Sequence, residues 1–406
     1  MLDRRPLLMA ALAFGALACA GEGATDPVLP TPGPETVPID TARRTTSPHI
    51  ALQNLDASID GAASHYERIG SSGTRSRLIA LLQLRASMTG TYDDFQAIGE
   101  LTREGIERSP DSPQAQLDRA AYLTSVHDFD DARAAVDLAE SRGADDADLL
   151  AERVTIDLAV GVDPFTLLPL AQARVDERDD TNSWTLLAGV LGATGDFEGA
   201  DQAFRNALDR YQDVSPFTFA SNAFRRGVMW AEMADRPDLG RPLYEEAVRR
   251  VPNYVVANVH LAELEATGGD EALALARLQR LVALRVGDPE PAGYLGELLG
   301  PTAGASLVDQ ARERYDVLLE RHRGAFADHG SEFFAGPGED PERALELAAF
   351  NLERRTNPRA YVVALGAAEA AGARDQRCEW ALEAEPLGEY HPVLASEVRS
   401  ALEACD

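Results

Sequence analysis

Three Asp-Phe pairs set the frame for this chain. Asp94-Phe95, Asp128-Phe129 and Asp196-Phe197 are separated by 34 residues and then by twice 34. A fixed period of that size means one supersecondary unit copied along the chain, and a single copy cannot bury its apolar face until neighbours stack on it. Blocks starting at Ile79, Pro113, Ala147 and Thr181 line up in phase. In the clearest one, residues 181–214, Trp184, Leu187, Ala188 and Leu191 fall at i, i+3, i+4 and i+7, one face of a helix. Gly195-Asp196 interrupts that face, and Ala200, Ala203, Phe204 and Ala207 form a second stripe. The unit is therefore a helical hairpin, with small Ala188 and Ala200 letting its helices approach and Phe204 filling the seam.

Trp184, Ala188, Gly195, Phe197, Ala200, Phe204 and Ala207 resemble the signature of the tetratricopeptide repeat family. The resemblance implies an all-α fold, a right-handed superhelical solenoid of antiparallel helix pairs. Residues 79–290 follow the pattern well and 291–406 loosely, as degenerate repeats ending in a C-terminal cap; residues 49–78 read as an opening helix. Eight or nine hairpins are expected. In the block 147–180, Pro164 and Pro169 are expected to disturb the second helix. The insertion "SPFTFA" shifts the phase before it resumes at Ser221, and residues 330–343 read as a Gly, Pro and acid loop.

The chain begins with Arg4, Arg5 and an apolar run over residues 6–18, too short to span a bilayer, which reads as a signal peptide over residues 1–18. "ALAC" resembles the lipobox of bacterial lipoproteins and implies lipidation of Cys19; an ordinary small-x-small cleavage site fits the same stretch. Residues 19–48, with six prolines after Cys19, read as a disordered tether. Ala20 and Gly21 after the cysteine resemble outer-membrane sorting, facing the periplasm or the cell surface. Export places Cys378 and Cys405 in an oxidising compartment as an even pair, so a disulfide is expected between them.

The formal charge of −29 opposes binding of nucleic acid. All 38 basic residues are Arg, which removes P-loop, Schiff-base and Ser-Lys chemistry. No His-Glu-x-x-His or Gly-x-Ser-x-Gly motif occurs, and no cofactor is expected. His322, Asp328, His329 and Glu332 form the one histidine–acid cluster; solvated loop surface is the plain reading, and a metal-dependent enzyme using loop 322–332 is the sharper one. The repeat resemblance puts the inner wall of the solenoid on the first helix of each hairpin. It nominates Asn182, Asn222, Arg225, Met229, Met233 and Glu263 as the ligand groove. Family members clamp a peptide carboxylate with Lys, Asn and Arg; here only Asn182, Asn222 and Arg225 are available. Met229 and Met233 offer an adaptable apolar patch or pack on a neighbouring helix, and Trp230 reads first as core. The expected function is a non-enzymatic scaffold or assembly factor for a protein or peptide partner in the cell envelope, held at the membrane by the lipid. A carbohydrate-binding surface lipoprotein is the alternative, although aromatic residues make up only 6%.

Overall fold

Several hairpins begin where a polar side chain closes a helix start. Ser112 accepts the Ala115 N–H ahead of Pro113, Asp145 accepts those of Ala147 and Asp148, Asp180 that of Ser183, and Asn357 that of Ala360 ahead of Pro358. These caps satisfy backbone donors that the first helical turn leaves open, and proline at the first position needs no donor. Each hairpin then turns on a left-handed residue. His127, Gly161 and Gly195 have φ of 57°, 93° and 83°, and Asp235 and Gly269 continue the series at 55° and 88°. The step is 34 residues except between Gly195 and Asp235, where the "SPFTFA" insertion intervenes.

The structure, a computed structural model, describes residues 35–405. Among them are nineteen α-helices and no strand. After α1 (Pro48–Ile69) come hairpins α2 (Ser72–Thr89) with α3 (Asp94–Arg108), α4 (Pro113–Ser125) with α5 (Phe129–Ser141), α6 (Asp146–Val160) with α7 (Pro164–Glu177), and α8 (Thr181–Ala193) with α9 (Phe197–Arg210). Next, α10 (Pro216–Val228) runs into a π-turn at Met229–Met233 and pairs with α11 (Pro237–Arg250); α12 (Val255–Thr267) pairs with α13 (Glu271–Ala283). α14 (Glu290–Ala303) is kinked at Gly300, and α15 (Ala305–Ala335) is broken at His322, so its two arms serve consecutive hairpins. The series closes with α16 (Pro341–Leu352), α17 (Pro358–Ala370), α18 (Arg374–Ala384) and α19 (Pro392–Glu403). Nine hairpins result, flanked by α1 and α19, in an all-α solenoid of antiparallel helix pairs.

The solenoid coils tightly enough for one turn to rest on the next. Tyr92 Oη donates to Asp288 at 2.9 Å, His127 Nδ1 to the Gly324 carbonyl at 3.1 Å, the Thr356 N–H to the Val160 carbonyl at 3.0 Å, and Asn357 Nδ2 to the Ala159 carbonyl at 2.8 Å. These partners are 196, 197, 196 and 198 residues apart. The near-constant separation defines one superhelical turn of roughly six hairpins, with hairpin turns of the first coil set against inter-hairpin loops of the second. Cys378 and Cys405 form a disulfide that ties α18 to the segment after α19.

Several sequence expectations need correction. Pro164 starts α7 at a position that has no use for an N–H, behind the Asp163 cap, and α7 runs on past Pro169. Residues 323–335 are helical rather than loop, so Asp328, His329 and Glu332 ride on a helix while His322 marks the break before it. Residues 35–47, read as tether, lie against the solenoid. Val37 and Ile39 pack on the cluster around Trp230, Arg43 donates to the Leu208 and Tyr211 carbonyls, and the Thr46 N–H bonds the Val214 carbonyl at 2.8 Å. The signal peptide and Cys19 lie outside the described residues. No helix among the described residues is long and apolar enough to cross a membrane.

Candidate functional site

The groove residues nominated from sequence do not converge. Asn222 is buried and donates Nδ2 to the Phe204 carbonyl at 2.8 Å, so it fastens α10 to α9. Met229 is buried against Gly192, and Met233 packs in the cluster of Ala188, Phe204 and Trp230. Trp230 is core, its indole N–H reaching Asp201 at 3.2 Å. Asn182 is exposed at the start of α8, and Arg225 is exposed on α10 beside the Tyr254 phenol. Only Glu263 belongs to a constellation.

That constellation lies where inner helices of successive hairpins face one another. Glu232, on the π-turn after α10, accepts His260 Nδ1 of α12 at 2.6 Å and Tyr244 Oη of α11 at 2.7 Å. Glu263, one helical turn beyond His260, approaches the same nitrogen at 3.7 Å. At the next hairpins, His329 Nδ1 bonds Glu290 at the start of α14, Arg359 at the start of α17 donates to Glu332 at 2.6 Å, and Arg355 pairs with Asp328. Glu232 and Arg359 lie near enough to influence each other's charge although three hairpins separate them. His329 keeps 37% and Arg359 41% of side-chain exposure, so solvent reaches this wall even though protein surrounds it.

The charges on the wall hold one another in unusual states. Burial disfavours a charged Glu232, yet the His260 cation outweighs burial and lowers its pKa to about 2. Burial likewise opposes His260, but Glu232, Glu263 and Glu290 lift it to about 9. Glu263 is raised to about 8 by burial, with the neighbouring carboxylates adding to the shift and His260 only partly relieving it. His329 is pushed well above its ordinary value, as Glu290 and Asp328 overcome burial. Burial and Glu290 raise Asp288. One imidazolium between two carboxyls, bonded to Glu232 and more distant from Glu263, accounts for the split between them; it needs no proton-transfer role.

The six carboxyls of this wall outnumber its two histidines and two arginines, so its surplus charge is negative unless carboxyls hold protons. Sequence reading missed His260, Glu290 and Arg359 because no short motif joins them. The coil brings together positions more than 120 residues apart. A visible signal was the spacing of His260 and Glu263 on one helix face, and of His329 and Glu332 on another. His322 points elsewhere, its ring edge-to-face with Phe95 at 5.8 Å. Among the described residues, no group of three or more His, Cys, Asp and Glu is arranged to hold a metal ion.

No protein family and no curated protein matches the sequence. Among solved structures, the chain is similar to the Cut9–Hcn1 hetero-tetramer of APC/C, at 14% identity over 86% of this chain and 67% of that one, with a TM-score of 0.47. It is also similar to the human IFIT1 dimer with PPP-AAAA, at 12% identity over 81% and 77% with a TM-score of 0.42, and to yeast Tom70, at 14% identity over 87% and 93% with a TM-score of 0.34.

Proposed function

We propose that the chain is a non-enzymatic scaffold of the tetratricopeptide type, exported and lipid-anchored through Cys19 at the outer membrane, that holds a polypeptide segment of an envelope partner against its inner wall. The observation that carries this reading is the gathering of Glu232, His260, Glu263, Glu290, His329, Glu332 and Arg359 from five hairpins onto one wall that solvent reaches. Ionic side chains of this kind serve no packing need, and an extended concave wall suits a chain-like ligand. With carboxyls in surplus, the segment it fits presents Arg or Lys side chains, which would take the place of the protons that Glu263 and Asp288 otherwise retain. Carbohydrate capture is less well supported. Trp230 and Trp380 are buried, and Trp184 lies under the Arg210 guanidinium at 4.8 Å, so no tryptophan offers a stacking face.

The test is crosslinking of envelope proteins to the chain from residue 35 onward, followed by mass spectrometry, with Glu263→Arg and Arg225→Glu variants shown to be folded. A partner captured by the wild type and by Arg225→Glu but lost with Glu263→Arg would place binding on the inner wall. Equal capture by all three, or by none, would reject this reading.

A further inference from the structure

Residues 37–46 occupy a seam between α9 and the α10–α11 hairpin, and the seam is built without them. Its floor is the apolar cluster of Ala188, Phe204, Met229, Trp230, Leu239 and Leu243, on which Val37 and Ile39 sit. Its rim carries two buried guanidiniums. Arg226 is fixed by Asp201 through Nε at 2.9 Å and Nη2 at 2.7 Å, and Arg250 by Glu246 at 2.6 Å. Both acids come from the solenoid, so the two arginines are positioned before any strand arrives. Their remaining N–H groups catch main-chain carbonyls: Arg226 Nη2 donates to Pro38 at 3.0 Å, and Arg250 to Asp40 and to Arg43, each at 2.7 Å. Bonds to backbone oxygen ask nothing of side-chain identity, while the apolar floor selects residues at alternate positions. The segment contributes little order of its own: the Thr41 N–H bonds the Ile39 carbonyl at 3.0 Å, and Asp40 accepts the Ala42 and Arg43 N–H groups. Its Arg43 stacks over Phe219 at 5.2 Å and caps the end of α9.

We propose that this seam is a binding site for an extended peptide, separate from the inner wall, which the chain fills with its own residues 37–46. The peptide it takes carries apolar residues at i and i+2, an aspartate at i+3 and an arginine at i+6, the pattern of Val37, Ile39, Asp40 and Arg43. A partner segment of that pattern enters by displacing the chain's own strand, and the displacement frees residues 35–46, roughly 40 Å of extended polypeptide.

The probe is a fluorescein-labelled peptide of residues 35–47, followed by anisotropy against the full chain. The wild type, its seam filled, should bind it at least tenfold more weakly than a Val37→Asp, Ile39→Asp variant, in which the chain's own strand no longer grips the floor. Adding Arg250→Met to that variant should return binding to the wild-type level. No gain in the double variant, or a gain that Arg250→Met leaves intact, would overturn the proposal. Hydrogen exchange covers the case of a misfolded variant. Arg250→Met alone should speed exchange at residues 39–46 about tenfold while α9 and α12 stay protected; unchanged exchange there would also overturn it.

Discussion

The hairpins from α4 to α9 and those from α10 to α17 share one architecture and use it differently. In the first group, the left-handed turns at His127, Gly161 and Gly195 bear on the second coil, at Gly324, Thr356 and Tyr390. In the second group, the Gly269 turn faces open space; a Cβ added there meets nothing within 4 Å. The ionic wall belongs to the second group, from Glu232 to Arg359. Departures from regularity lie there too: the insertion before α10, the π-turn that carries Glu232, and the breaks at Gly300 and His322. The repeat sets the hairpin, and the π-turn, a form frequent at functional sites, carries Glu232 to the wall.

Glycine substitution separates the two kinds of turn most sharply. Gly161→Ala would put its Cβ 2.7 Å from the Thr356 carbonyl carbon and 2.8 Å from the Asn357 nitrogen, in a left-handed conformation as well. Gly269→Ala carries only the conformational strain. We expect a loss of about 1 kcal/mol at Gly269 and about 3 kcal/mol at Gly161, from strain plus displaced backbone. Urea midpoints at unchanged m-value measure both, and equal losses would mean that the coil-to-coil contact stores no stability. Next in size is His260→Ala, which leaves Glu232 with Tyr244 alone and should cost about 1.5–3 kcal/mol. The first group's half-exposed pair of Arg133 and Asp157 should lose less than about 1 kcal/mol on Arg133→Ala. If the two losses match, the inner wall is ordinary surface.

Hairpins, their number and the disulfide were legible because each depends on local pattern: i, i+3, i+4 stripes, a turn residue every 34, an even cysteine pair. The wall was not, since it depends on how many hairpins complete a coil, and that number follows from small rotations between repeats that no one repeat reveals. Asn222 and Met229 do lie on the first helix of a hairpin and the turn that follows it, but on the side packed against α9 and α8, and helical phase alone does not tell that side from the groove. Residues 35–47 looked like tether because proline and polar residues signal weak self-structure; their partners, Arg226 and Arg250, lie about 190 to 210 residues away.

Acid and base should damage different regions. His260 and Glu263 both have raised pKa values, to about 9 and about 8, so the folded chain holds protons that the unfolded chain has released. The stability carried by these two protons is full below about pH 4.5 for Glu263 and 6.5 for His260 and falls as pH rises toward 9, whereas Glu232, lowered to about 2, loses its own contribution only as pH falls below the ordinary carboxyl range. His127 is the reverse: burial, with Arg355 adding to it, lowers it to about 4, so its contribution is present above pH 6.5 and lost as pH falls toward 4. Glu263→Gln should flatten the alkaline limb of a stability–pH curve and leave the acid limb. His127→Asn, which keeps a residue tolerant of the left-handed turn, should do the opposite. Both limbs moving together in either variant would show that the coils and the wall titrate as one unit.

The smallest effect should come from Arg225→Glu. Arg225 and Asn222 stand three residues apart on α10, but one is exposed and the other seals the Phe204 carbonyl. Asn222→Ala should cost about 1–3 kcal/mol, the loss that comes with an unpaired buried carbonyl. Reversing the charge at Arg225 should move stability by less than about 0.5 kcal/mol, because the side chain is exposed to water and the Tyr254 phenol beside it stays neutral, with burial holding it at about 12. Thermal melts of the two variants side by side measure the difference. A large loss at Arg225 would place it in a structural network with the inner helices and weaken its use as the folded control for binding at Glu263.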